Sequence, residues 1–381
     1  MVSNPKKKNV SIQQVLTALL DDQNPFPPAF LQHFSDLEDK DLSALRSVWP
    51  QASTIRRVSL LEDLEELAEV DTLVNFEAIA RLALTDPDPR ARAVGIRLLW
   101  EEEDPRLSKP FIQMMNEDAD MGVRAAAASG LGKLIYMGEL EEIPSDVLHE
   151  VETALLKTTT GSDEALVRRR ALEALGFSGR KEVPPLIRQA YSSSDPDWVS
   201  TALFAMGRSA DHAWEPEVKR MLRSPKANVQ LEAVRAAGEL SLESTRRILL
   251  DLLEEEAQDS EIRAAVIWSL SQVGGEEVRD TLETLFEETD DEEEIELLEN
   301  ALDNLTFTED VSIYGLFNFD QMGQPNQEIE DIEAYLTALE EDDSGWDESP
   351  KGDLPGGESS DITKKTKDES RHRHKKSPKD E

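Results

Sequence analysis

A phrase of thirteen residues keeps returning along the middle of the chain: an acid, an apolar residue three positions later, Arg beside it, a run of small residues and a closing Leu-Gly. It is plainest at Asp120 to Gly132 (DMGVRAAAASGLG) and Glu164 to Gly176 (EALVRRRALEALG), with a looser copy at Asp195 to Gly207 (DPDWVSTALFAMG). Aligned on the closing position, Trp100, Gly132, Gly176, Gly207, Gly238, Ser271 and Asp303 follow at intervals of 32, 44, 31, 31, 33 and 32 residues, so an insertion of about twelve residues separates Gly132 from Gly176. A period near 32 means stacked supersecondary units, each burying its apolar face only against its neighbours.

A second helical segment precedes each phrase, at Val183 to Tyr191, Glu215 to Leu222, Ser244 to Leu253 and Glu276 to Phe286. No segment shows the two-residue alternation of a half-buried strand. The unit is therefore a helical hairpin, and the predicted fold is all-α: an α-solenoid of about seven hairpins over residues 86–305. Residues 1–85 supply N-terminal helices that begin the solenoid. Residues 306–340 read as a C-terminal cap, rich in aromatics from Phe307 to Phe319, followed by an amphipathic helix from Gln327 to Leu339. Residues 341–381, dominated by Gly, Ser, Pro, Lys and Asp, read as a disordered tail.

Each part of the phrase has a structural reading. Asp88, Asp120, Glu164, Asp195 and Asp259 stand where an acid caps the free N–H groups of the second helix. Pro89 and Pro196 take the first helical position, where a missing N–H costs nothing. Arg92, Arg124, Arg168 and Arg263 follow four residues after the acid, within reach of that carboxylate or the next unit's. Gly95, Ala127, Ala171, Ala202 and Ala233 let helices approach closely, and the closing Gly is expected to end the helix at positive φ.

With Val123-Arg124, Val167-Arg168 and Ile262-Arg263 at a nearly fixed period and Ala-Leu-Gly or a variant downstream, the stretch from Asp86 to Leu305 resembles the HEAT repeat family. The likeness is greatest to its short bacterial, phycobilisome-lyase-type form. The resemblance implies an armadillo-like helical scaffold with its second helices on the concave side. It also implies one enzymatic alternative, a bilin-lyase-like chromophore-handling protein. Val199 and Gln230 depart from the pattern by replacing the Arg, and Ile295 does so in the last unit.

Composition narrows the function. The net charge of −39 opposes general affinity for nucleic acid or anionic lipid. With no cysteine, thiolate nucleophiles, disulfides and Cys-based zinc sites are excluded. The segment after Lys6-Lys7-Lys8 lacks the apolar core of a signal peptide, and no stretch approaches a membrane span, so a cytoplasmic protein is expected. The chain has one His-Glu pair, His149-Glu150, against the several that hold the di-iron centre of HEAT-like deoxyhypusine hydroxylases. Neither a catalytic constellation nor a metal or cofactor site is expected.

A non-catalytic scaffold or adaptor remains, binding an unidentified protein or peptide on its concave helix face. The position six residues after the first apolar one points away from the core on the second helix, and that column reads Arg97, Ser129, Glu173, Phe204, Arg235 and Trp268. Large aromatics among arginines are typical of interface hot spots, so Arg97, Glu173, Phe204, Arg235 and Trp268 are the candidate partner-binding residues. A second candidate surface is acidic: between Asp251 and Asp343 stand 31 Asp or Glu against Arg263 and Arg279 alone. Such an end could dock a basic partner, or the chain's own basic tail at Lys364 to Lys379, and would release it as salt rises.

Overall fold

The structure, a computed structural model, describes residues 10–255 and 259–313, with side chains to residue 307. Among these residues there are helices and no strands. Three helices lead in: α1 (Ile12–Leu19), α2 (Asp39–Val48) and α3 (Thr54–Val70). Seven hairpins follow: α4 (Glu77–Ala83) with α5 (Pro89–Arg97), α6 (Ser108–Glu117) with α7 (Met121–Glu139), α8 (Ser145–Thr160) with α9 (Ala165–Ala174), α10 (Val183–Tyr191) with α11 (Pro196–Arg208), α12 (Glu215–Met221) with α13 (Ala227–Glu239), α14 (Arg246–Leu253) with α15 (Ser260–Val273), and α16 (Glu276–Glu288) with α17 (Glu292–Ile313). The twelve-residue insertion lengthens two helices: α7 has 19 residues and α8 has 16, where most of the others in the stack have 7 to 14. Of the segment expected to cap the stack, α17 includes residues as far as Ile313, and Phe307 is 68% exposed. The helix expected at Gln327 to Leu339 and the tail lie outside the described residues.

The repeated phrase builds these hairpins through local chemistry. Asp88, Asp120, Asp195 and Asp259 each accept a hydrogen bond from a backbone N–H in the first turn of α5, α7, α11 and α15. Such caps contribute about 1 kcal/mol each. Glu164 differs from expectation, for its side chain makes no cap bond to α9. Its neighbour Asp163 has taken up the carboxylate's other duty, pairing with Arg124.

That duty is a ladder running through the stack. Arg92 donates to its own hairpin's carbonyls at Asp86 and Pro87, and reaches forward to Asp118 at 2.7 and 2.8 Å. Arg124 repeats this with the carbonyls of Asp118 and Ala119 and with Asp163. Arg263 does so with the Leu253 carbonyl and Glu294. Arg57 in α3 starts the series one hairpin earlier, binding the Ala52 carbonyl and Asp86, which Trp49 Nε1 also approaches at 2.8 Å. The Arg therefore closes the C-terminal end of its own first helix and ties its unit to the next. Where Ser193 stands in place of the acid, Arg168 keeps its carbonyl bond to Thr159 and lays its guanidinium over Trp198, 5.4 Å from the ring centre. Gln230 likewise keeps only the carbonyl bond, to Leu222.

The closing glycines do not end helices at positive φ, as the sequence led us to expect. Among the described glycines only Gly274 and Gly275 have positive φ; after α7, α11 and α13 the positive-φ turn is made by Glu141, Ala210 and Ser241. Gly132, Gly176, Gly207 and Gly238 instead mark where one second helix touches the next. A Cβ on Gly176 would lie 3.0 Å from the Cα of Ala205, one on Gly207 would lie 3.1 Å from that of Ala236, and one on Gly238 would lie 2.8 Å from that of Ser269. In each case the contacted residue stands two positions before the next unit's own closing residue. Second helices thus pack directly on one another, more closely than the first helices do, and this curves the stack toward the second-helix side. The first apolar column (Ala91, Val123, Val167, Val229, Ile262) and the small column (Gly95, Ala127, Ala171, Ala202, Ala233) are buried between them.

Candidate functional site

On the second-helix side, the surface from α3 to α11 hollows into a groove of about 900 Å³. Its floor is α7, which offers only small side chains at Gly122, Ala126 and Ser129 before Lys133 and Tyr136. One wall is the end of α3, the α3–α4 loop and the end of α5, with Glu65, Glu69, Arg97 and Trp100; the other is α9 and α11, with Arg170, Glu173, Phe177, Phe204 and Arg208.

None of the six residues in the outward column is buried, and Arg97, Ser129, Glu173 and Phe204 are gathered in this one groove. Arg235 and Trp268 lie further along the stack, outside it. The cations of the column are already engaged: Arg97 binds Glu65 through two nitrogens, one at 2.7 Å, which raises its pKa, and Arg235 bridges Glu232 and Glu261 at 2.9 and 3.1 Å. Glu173 accepts from Thr201 at 2.8 Å and from Arg170 at 2.6 Å. Trp268 is 37% exposed and lies against Gly238, whose missing side chain leaves room for the indole.

From the floor to the far wall, cations and rings alternate. Lys133 Nζ stands 5.9 Å from the Tyr136 ring centre, and Tyr136 meets Phe177 edge-on at 5.3 Å. The Arg208 guanidinium stands 5.2 Å from the Phe177 ring centre and 5.1 Å from that of Phe204. These contacts hold the aromatic side chains half open to solvent in defined positions. Beneath them, Glu232 and Glu239 are pushed up in pKa by burial, against the pull of Arg235 and Arg208.

The column missed Trp100. Its signal was in the sequence: the closing position, Gly in four units, holds the largest side chain in the first. In the structure α5 stops at Arg97, the chain turns, and the Trp100 indole stands 61% exposed at the mouth of the groove. An exposed Trp where the repeat calls for a buried Gly breaks the structural rule, and such breaks concentrate at functional surfaces.

His149 is exposed, with Nδ1 3.4 Å from Arg180. Among the described residues no group of three or more His, Asp or Glu is placed to hold a metal ion, and no helix is long and apolar enough to cross a membrane.

A family model described as HEAT repeats matches residues 215–303, and the structure extends the same hairpin, ladder and glycine contacts on the N-terminal side of that stretch. No curated protein matches the chain. Among solved structures, E. coli YibA is similar at 16% identity over 75% of this chain and 98% of its own, with a TM-score of 0.40. Human deoxyhypusine hydroxylase is similar at 14% identity over 69% and 95%, TM-score 0.31. The karyopherin Kap121p bound to Nup53p is similar at 15% identity over 82% and 40%, TM-score 0.41.

Proposed function

We propose that this chain of HEAT repeats is a non-catalytic adaptor that holds a segment of a partner protein along the groove between α3 and α11. The observation that carries the reading is the groove itself: about 900 Å³ of concave surface, open along its length and set with partly exposed Trp100, Tyr136, Phe177 and Phe204 among charged neighbours. Interface centres are enriched in aromatic and Arg side chains of this kind. The small floor of α7 gives the partner backbone room between the two walls. A cytoplasmic setting is part of the proposal and is supported by the cysteine-free composition.

Ser129 provides the test, because it is exposed at the centre of the floor. Ser129→Trp fills the groove without touching the core, so its melting temperature should stay within about 2 °C of wild type, as expected for surface substitutions. Peptides selected from a random display library on the full chain should lose at least tenfold in affinity for Ser129→Trp. Selected peptides that bind both proteins equally would place the binding surface elsewhere.

A further inference from the structure

Resting on that reading, the pairing of charges inside the groove gives it a polarity. On the floor and the α9–α11 wall every cation is answered: Arg170 by Glu173 at 2.6 Å, Arg208 by two aromatic faces and by Glu239 at 3.4 Å, and Lys133 of α7 by Tyr136 and by Glu103 at 3.3 Å. At the α3–α5 wall the balance is reversed. Arg97 answers Glu65, while Glu69 and Glu101 make no ion pair or side-chain hydrogen bond among the described residues. Glu102 receives only the Asn75 side-chain amide, at 3.0 Å. Glu69, Glu101 and Glu102 line the groove together with Trp100.

The surroundings deepen this acidity. Glu62, Asp63 and Glu66 lie on α3 as well, outside the groove lining, and burial with the charges of Glu66 and Glu62 pushes the Asp63 carboxyl up against the pull of Arg56. Burial, then the Glu77 charge, pushes Glu102 up in the same way, against the Asn75 amide and Arg81, whose guanidinium is itself paired with Glu77 and Asp104. Bringing a cation to this place relieves like-charge repulsion, and a cation over an indole face is held more strongly as it is desolvated. An acidic ligand would meet unpaired carboxylates here and arginines already occupied opposite.

We propose that the α3–α5 end of the groove is a cation-recognition site, where a Lys or Arg side chain of a basic partner segment lies over Trp100 beside Glu69, Glu101 and Glu102. The partner class is therefore a protein presenting a short basic and apolar segment. Trp100 supplies the face, the three glutamates supply the charge, and the small floor of α7 admits the segment's backbone.

The experiment uses random dodecapeptides displayed on phage, selected on the full chain and sorted by loss of binding to Ser129→Trp. Groove-dependent peptides should be enriched in Lys and Arg. As labelled peptides measured by fluorescence anisotropy, they should weaken at least tenfold on Trp100→Ala and again on Glu101→Gln with Glu102→Gln. Trp100→Phe should retain part of the affinity, since a smaller ring still presents a face. Melting curves of all variants should overlay that of wild type, these residues being at the surface. Groove-dependent peptides that are not enriched in basic residues, or whose affinity ignores Trp100 and the two glutamates, would overturn the cation site and leave the adaptor reading standing. If no selected peptide depends on the groove, both fall.

Discussion

Replacing Gly176 by Ala adds one methyl group where α9 meets α11. Its Cβ would lie 3.0 Å from the Cα of Ala205, 3.0 Å from Arg208 Cβ and 3.1 Å from the Ala205 carbonyl oxygen, so two of the three neighbours are backbone and cannot rotate away. Overpacking of this kind costs about 1–3 kcal/mol. The helical preference of Ala over Gly returns at most about 1 kcal/mol, and less here because Gly176 sits in the 3-10 turn Leu175–Phe177. A net loss of about 1–2 kcal/mol corresponds to a fall in melting temperature of roughly 2–8 °C for a body of this size. Gly132→Ala is the comparison: its Cβ would meet Ala174 at 3.3 to 3.4 Å, a contact tighter than usual but about 0.3 Å looser than at Gly176, and its melting temperature should fall clearly less. Circular dichroism reads the melting, and hydrogen exchange should show faster opening confined to α9 and α11, because a stack loosens at the disturbed interface first. Gly176→Asn separates contact from conformation, since Asn is tolerated where a helix ends at positive φ and is bulkier than Ala where helices touch. An Asn variant more stable than the Ala variant, or Gly132→Ala falling as far as Gly176→Ala, would refute close approach as the reason for these glycines.

Two further outcomes concern charge. Arg124→Met leaves Asp163 without its guanidinium and two carbonyls without a donor, and should cost about 2 kcal/mol at pH 7, read by urea denaturation. The Arg124 hydrogen bond holds the Asp163 pKa below its ordinary value, and Arg106 and Arg81 hold Asp104 down to about 2. Stability from such depressed carboxylates is fully present above about pH 4 and is lost as pH falls through the depressed values; wild type should therefore soften between pH 4 and 2, and Arg124→Met should soften less steeply. Glu239 has the opposite sign: burial raises its pKa, so its contribution is full below the ordinary glutamate value and declines as pH rises through the folded one. Glu239→Gln should melt up to about 3 °C above wild type at pH 7 and level with it at pH 4. A loss at both pH values would mean that the Arg208 contact outweighs the burial of charge.

The fold was legible because each unit repeats its reasons. Period, caps and small residues identify hairpins without any long-range information, and Asp88, Asp120, Asp195 and Asp259 cap as their sequence positions imply. The Gly role was misread because a glycine after Leu at the end of a periodic stretch fits both a terminator and a contact point. Only the register of the next helix, fixed by packing between units, separates the two. The site was legible in part for a similar reason. Spacing along one helix tells which residues point outward, but which outward residues share a concavity depends on how far the second helices converge. Arg97, Ser129, Glu173 and Phe204 fall within one hollow and Arg235 and Trp268 beyond it, a grouping written in the curvature of the stack. Trp100 escaped because its meaning lies in departing from a column already assigned to structure.

The ladder also bears on how such a chain can change its length. Every full rung is split across a boundary, with the Arg in one hairpin and the acid in the following one, so a duplicated hairpin arrives carrying an acid for the copy before it and an Arg for the copy after. Removing the α6–α7 hairpin would likewise close Arg on acid again, Arg92 meeting Asp163. Between α11 and α13 both halves are gone together: Val199 stands where the Arg would be and Ser224 where its acid would be, Ser224 Oγ accepting the Lys226 N–H as Asp86 accepts that of Asp88. The hairpins on either side of that seam, with Ser193 and Val199 in one and Ser224 and Gln230 in the other, carry neither half of a rung, so either could be lost or doubled there without stranding a charge.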